Sequence, residues 1–221
     1  NKMKEYQKIQ SLFKRDKTKK LLIGEYTNDE FKYLENNIWF FTEKVNGTNV
    51  CIKWDGSNMM FGNLDQQIPT KLVNLCMNIF KPEKFKEVFK QPEVMVELYF
   101  EGYGKGIQEP DGSKYNPNEN SLILFDINID GWWLDYNSCV DICEKLNLNI
   151  VPKIADGTLI DLVTLVKQGF KSCVSKENMI AEGIVAKPWV PLYNKKGERI
   201  ITKLKYLDFP VTERGKVNLD I

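Results

Sequence analysis

The chain has 221 residues, of which 43% are apolar and 28% charged, and a formal net charge of +1. That length buries a substantial core without disulfide staples, and the composition excludes collagen-like, disordered and membrane-embedded classes. Histidine is absent, which removes His-based acid catalysis, Ser-His and Cys-His nucleophile systems and most His-containing zinc sites.

The opening "NKMKEYQKIQSLFKRDKTKK" (1–20) holds seven lysines and Arg15 against Glu5 and Asp16, a local balance of +6. It lacks an apolar run and is no secretory signal; it reads equally as a solvated basic arm or as a contact to a phosphate backbone. "IWFFTEKV" (38–45) and "NVCIKW" (49–54) alternate as strands, and "GSNMMFG" follows the turn "WDGS", which together predict an antiparallel meander. "TKLVNLCMNIF" (70–80) and "PEKFKEVFK" (82–90) carry helical spacing, the second opening on Pro82 at a first-turn position.

Strands return with "EVMVELYFEGYG" (93–104) and "SLILFDINIDGWWLD" (121–135), the latter folded at a tight Ile-Asp-Gly turn. Between them "GKGIQEPDGSKYNPNEN" is a long polar loop, a feature more often functional than accidental in a compact domain. "NSCVDICEKLNL" (137–148) with an Asn cap and "TLIDLVTLVKQG" (158–169) stopped by Gly169 are helices, and "EGIVAKPWV" and "ERIITKLKYL" are strands flanking the turn "YNKKGE". The pattern predicts an α+β class, antiparallel sheets with flanking helices. Without repeats, low complexity or linker composition it predicts one domain over 1–221, the basic segment 1–20 included.

No apolar run reaches the ~20 residues that a bilayer span requires. Five scattered cysteines without a CxxC pair suit a reducing compartment, with most thiols in the core. A cytoplasmic protein without membrane association is expected.

Several charged residues interrupt apolar strands, where an unpaired buried charge is costly: Glu43, Lys44, Glu101, Asp126, Glu182, Lys187, Lys203 and Lys205. Each alone is explained by a half-exposed strand with polar groups on alternate positions. Lys203 and Lys205, two apart in "ITKLK", share a face, and a phosphate there would offset their repulsion. A strand-end lysine near other cations is a candidate nucleophile; carboxylates beside it are candidates to hold a divalent metal. The set as a whole describes nucleotidyl transfer through lysine.

"EKVNGTN" (43–49) resembles motif I, Lys-x-x-Gly, of the covalent nucleotidyltransferases, which include ATP-dependent DNA ligases, RNA ligases and mRNA capping enzymes. "FEGYGKGIQ" (100–108) resembles motif III, "LFDI" (124–127) motif IIIa, "EGIVAKP" (182–188) motif IV and "ITKLK" (201–205) motif V. Thr48-Asn49 after the glycine, and Gly-Ile-Gln after the acidic strand, are similar to ATP-dependent RNA ligases of the type 2 class. DNA ligases favour Lys-x-Asp-Gly with Arg downstream. The segment "IQSLFKRDKTKK" is also similar to the N-terminus of viral and bacterial members.

The resemblance implies a ligase adenylation domain, ATP-grasp-like in fold, in which Lys44 attacks the ATP α-phosphate and holds AMP. Lys203 and Lys205 would grip the phosphate, and Phe125 would stack on adenine. Glu101 would contact the ribose or position the nucleotide, and Glu43, Asn46, Gly47, Asn49 and Lys187 would complete the nucleotide pocket. Glu182, with Glu101, would hold Mg²⁺ or Mn²⁺. AMP would pass to an RNA 5′-phosphate, and an RNA 3′-OH would displace it.

Two departures stand out. "GNLDQQIPT" offers Asn63 where relatives carry a motif Ia arginine, and position 46 is Asn where they carry His or Asp. Motif V ends close to residue 221, so no appended oligonucleotide-binding or helical domain is expected, and RNA binding without an accessory protein is expected to be weak. A minimal DNA ligase, a GTP-using capping enzyme and a catalytically weakened nucleotide- or RNA-binding module remain alternatives.

Overall fold

A computed structural model of the chain describes residues 6–62 and 69–215. Asn63, and the lysines at 2 and 4 of the basic segment, lie outside the described residues. The elements in chain order are β1 (Gln10–Ser11), β2 (Phe13–Arg15), β3 (Leu21–Tyr26), α1 (Asp29–Tyr33), β4 (Trp39–Lys44), β5 (Thr48–Trp54), β6 (Met59–Gly62), α2 (Thr70–Ile79), α3 (Pro82–Val88), β7 (Val96–Gly104), α4 (Asp111–Tyr115), β8 (Asn120–Ile129), β9 (Trp132–Trp133), α5 (Tyr136–Leu146), β10 (Lys153–Gly157), α6 (Leu159–Gln168), β11 (Gly183–Pro188) and β12 (Thr202–Lys205), with a 3-10 turn at Tyr206–Asp208. The class is α+β, as the alternating strand and helix patterns predict.

The chain divides into two compact units, Asn1–Tyr6 with Asn46–Val151 and Gln7–Val45 with Pro152–Ile221. In the first, a five-stranded antiparallel sheet of order β6-β5-β7-β8-β9 buries one face. Val50, Ile52 and Trp54 alternate inward on β5, as do Val96, Leu98 and Phe100 on β7, and they join Leu72 and Cys76 of α2, Phe85 of α3 and Cys139, Ile142, Cys143 and Leu146 of α5 in one core. The last four recur at helical spacing, so a single stripe of α5 is apolar. Its cap is Asp135, which accepts the Ser138 N–H, and the chain turns out through a left-handed Asn147; the expected Asn137 cap lies inside the helix.

In the second unit the sheet order is β1-β12-β11-β4-β10, with β1 parallel to β12 and the other pairings antiparallel. Trp39 and Phe41 of β4, Ile184 and Ala186 of β11 and Leu204 of β12 face α6, whose Leu159, Leu162 and Val166 fill the same core. Thr158 and Asp161 form a capping box on α6, and Gly169 closes it at φ +81°.

Two expectations give way here. The strands at 38–45 and 49–54 do not form one meander: β4 joins the second unit's sheet and β5 the first unit's, because both edges of each strand find partners elsewhere. The basic segment is not a free arm over residues 10–15, since Leu12 and Phe13 are buried core residues and β2 pairs with β3. Four cysteines are buried and Cys173 is exposed, all as free thiols.

Candidate active site

Strand register in the second unit gathers the lysines. Gly183 pairs with Lys44 on one side and with Lys205 on the other, and Val185 pairs with Thr42 and with Lys203. Cross-strand partners share a face, so Lys44, Lys203 and Lys205 emerge together on the face opposite the α6 core. Gly183 leaves the space between Lys44 and Lys205 open. A Cβ there would sit 2.0 Å from the Leu204 carbonyl oxygen, so only glycine lets β12 approach this closely.

Glu182, just before β11, completes the cluster. Lys44 Nζ donates to Glu182 Oε2 at 2.9 Å, and Lys205 Nζ lies 3.6 Å from Oε1 of the same carboxylate. Lys203 is half-buried; burial, then the charges of Lys44 and Lys205, hold its ammonium below the ordinary lysine range, against an opposing pull from Glu182. One carboxylate among three amines leaves the cluster short of negative charge, and a polyphosphate would supply it.

Glu43 occupies the other face of β4. It is 1% exposed, accepts from the Ser172 hydroxyl and, at 2.9 Å, from the Cys173 N–H. Ser172 Oγ in turn accepts the N–H groups of Val174 and Ser175. Burial pushes the Glu43 carboxyl above the usual carboxylate range, with the two hydrogen bonds pulling the other way. The loop it holds is closed by bridges at Lys171–Ile180 and Phe170–Ala181 and leads directly into Glu182.

Of the remaining predicted residues, the first unit carries Asn49, Glu101 and Phe125 on the sheet face away from its core, whereas Lys187 stands in the second unit, on β11 opposite Phe40 of β4. Asn49 pairs with Glu101 across β5 and β7, and Phe125 lies half-buried on β8 beside Tyr6 and Tyr99, with ring centroids at 5.1 and 6.3 Å. Tyr6 donates to the buried Asp126 at 2.6 Å. Gly47 abuts β7, where a Cβ would meet the Gly102 carbonyl oxygen at 2.1 Å; the glycine is required by close approach rather than by a turn.

Asn46 is braced by the long polar loop. Its backbone N–H donates to the fully buried Tyr115 hydroxyl, and its side-chain amide donates to Asp111 Oδ2, both at 3.1 Å. Tyr115 and Asp111 on α4 thus give the loop a definite task that its composition alone did not reveal. Also missed were Ser172 and Cys173, and the Arg15–Asp208 pair at 3.0 Å, in which Asp208 also accepts the Lys205 N–H. Arg15 had one available signal, as one of only three arginines in the chain.

Comparison with protein families matches residues 37–205 to the RNA ligase family. The chain belongs to the RNA ligase family. Its fold is similar to solved structures of the Naegleria gruberi RNA ligase. One substituted form with ATP and Mn aligns at TM-score 0.61 and 14% identity, covering 80% of this chain and 52% of that one. A form with AMP and Mn gives 0.60, 14%, 80% and 52%, and a further form with ATP and Mn gives 0.60, 13%, 82% and 54%. This RNA ligase family chain therefore spans about half the length of those neighbours. Comparison with curated protein sequences gave no match.

Proposed function

We propose that the chain is an ATP-dependent RNA ligase that works through a lysyl-AMP intermediate. The observation that carries this reading is the Lys44–Glu182–Lys205 cluster, at 2.9 and 3.6 Å, with Lys203 beside it on one sheet face. The Lys44 amine, after giving up a proton, attacks the α-phosphorus of ATP. A nitrogen–phosphorus bond forms, the bond to the β-phosphate oxygen breaks, and pyrophosphate leaves. Glu182 is the base within reach of that proton and the group that aims Nζ. Lys203 and Lys205 neutralise charge building on the phosphate oxygens, a role worth about 10²–10³ in rate per donor. AMP then passes to an RNA 5′-phosphate, and an RNA 3′-OH displaces it to leave a phosphodiester.

Asn49, Glu101 and Phe125 are assigned to nucleoside contacts, with Asn46 and Gly47 shaping the strand entry and Lys187 lying further along the phosphate face. Glu43 is assigned differently from its neighbours in "EKVNGTN": its carboxylate is committed to the 172–175 loop, so it positions Lys44 and Glu182 from behind. No group of three His, Cys, Asp or Glu side chains that could hold a metal occurs among the described residues. One carboxylate, Glu182 or else Glu101, would be enough to hold Mg²⁺ or Mn²⁺ if substrate phosphate and water completed the shell. Such an ion would supply charge neutralisation at the phosphates.

The test is incubation with labelled ATP or GTP and a divalent metal, followed by sealing of nicked RNA and nicked DNA. ATP-dependent label on the denatured chain and preferential RNA sealing are expected; label from GTP alone, or sealing of DNA alone, would overturn the assignment.

A further inference from the structure

The sheet face that carries Lys44 does not end at the lysines. Phe40 and Thr42 alternate with Lys44 on the same side of β4, Lys187 stands opposite Phe40 on β11, and Lys153 stands opposite Thr42 on β10. One residue past β11, Trp189 donates its backbone N–H to the Ile38 carbonyl at 3.2 Å. Its ring meets Phe40 edge-on, centroids 5.4 Å apart at 78°. Lys153 Nζ lies 4.8 Å from the Trp189 centroid and 5.2 Å from that of Phe40, and is itself fixed by an ion pair to Asp156 at 2.8 Å.

These contacts hold the indole in place without covering it. Trp189 remains 50% exposed, whereas Trp39 and Trp54 are fully buried. An oriented, half-exposed indole beside cations has the construction of a stacking platform, on which any nucleobase π-face gains energy.

We propose that Trp189, backed by Phe40 and Lys153, stacks an unpaired base of the RNA whose end is being joined. This rests on the RNA ligase reading above. Lys44 lies four residue steps along the strand from Phe40, about 13 Å at the usual rise, a distance that a short unpaired strand spans. The charge of the face selects the occupant: Lys44, Lys153, Lys187, Lys203 and Lys205 share it with only Glu182 and Asp156 among the residues placed there. A phosphodiester strand complements that excess, and stacking supplies affinity that a net charge of +1 does not.

The experiment measures anisotropy of a 5′-phosphorylated, 3′-fluorescein single-stranded oligoribonucleotide with the full chain, in parallel with labelling by ATP. Trp189→Ala is expected to weaken RNA binding about 5- to 100-fold, the effect of losing one base–aromatic stack, and to leave ATP labelling unchanged. Trp189→Phe, which keeps an aromatic face, is expected to stay within about threefold of wild type. Trp132→Ala, removing a tryptophan 75% exposed in the other unit, is expected to bind as wild type.

Equal RNA affinity in Trp189→Ala and wild type would assign the ring to another partner, such as a protein, and overturn the proposal. So would an equal loss in Trp132→Ala, or no RNA binding by wild type. Absence of label from wild type would instead overturn the ligase reading, so the two failures are told apart.

Discussion

Lys203 pays for its position. Half-buried and flanked by Lys44 and Lys205, it has a folded-state pKa below the 10.5 of an ordinary lysine. The folded chain therefore binds this proton less tightly than the unfolded one, and stability rises with pH from the lowered value up to about 10.5. Lys203→Met is expected to raise the urea midpoint at neutral pH, to abolish that alkaline rise, and to slow adenylylation by about 10²–10³; a stability titration alongside a labelling rate checks both. Glu43 has the opposite sign. Its folded pKa is raised above 4.5, so its contribution is full below pH 4.5 and is lost as pH climbs through the folded value. Glu43→Gln is expected to gain stability relative to wild type as pH rises above about 4.5, read from urea midpoints in a pH series.

Lys44, Glu182, Lys203 and Lys205 were legible because charged residues inside apolar strands stand out, and because they recur in a fixed order. The place of Glu43 was readable too, since strand alternation puts it opposite Lys44, yet its adjacency in "EKVNGTN" drew it into the nucleotide pocket. Arg15 and Asp208 lie 193 residues apart, and no local pattern links them.

Among the elements, glycines control how closely strands meet. Gly183→Ala would force β12 away from β11 at the point where Lys44 and Lys205 flank the gap. A loss of about 1–3 kcal/mol is expected by urea denaturation, with a larger proportional loss of labelling. Tyr115→Phe removes the acceptor of the Asn46 N–H; if that donor stays dry the cost is about 1–3 kcal/mol, again measured by denaturation. The long helices were legible from apolar spacing, as at Cys139, Ile142, Cys143 and Leu146. Short strands such as β1, β2 and β10 were not: two to five residues give no measurable period, and β10 reads as polar sequence because Lys153 and Asp156 face outward. The separation of β4 from β5 was invisible because both carry the same alternation.

For the molecule as a whole, each unit owns a hydrophobic core, and the motif residues are divided between them. Lys44, Glu182, Lys203 and Lys205 belong to one, and Glu101 and Phe125 to the other. The chain's near-neutral charge gives no long-range field to steer RNA. If Lys153 and Lys187 each neutralise one phosphate, RNA affinity falls only about sevenfold between 50 and 200 mM salt; a far steeper dependence in an anisotropy titration would point to many more phosphate contacts. The central claim is the covalent step, and peptide mapping of the ATP-treated chain tests it most directly. We predict the added mass of one AMP on the peptide containing Lys44 and none in Lys44→Ala; AMP on any other residue, or persisting in Lys44→Ala, would contradict the account.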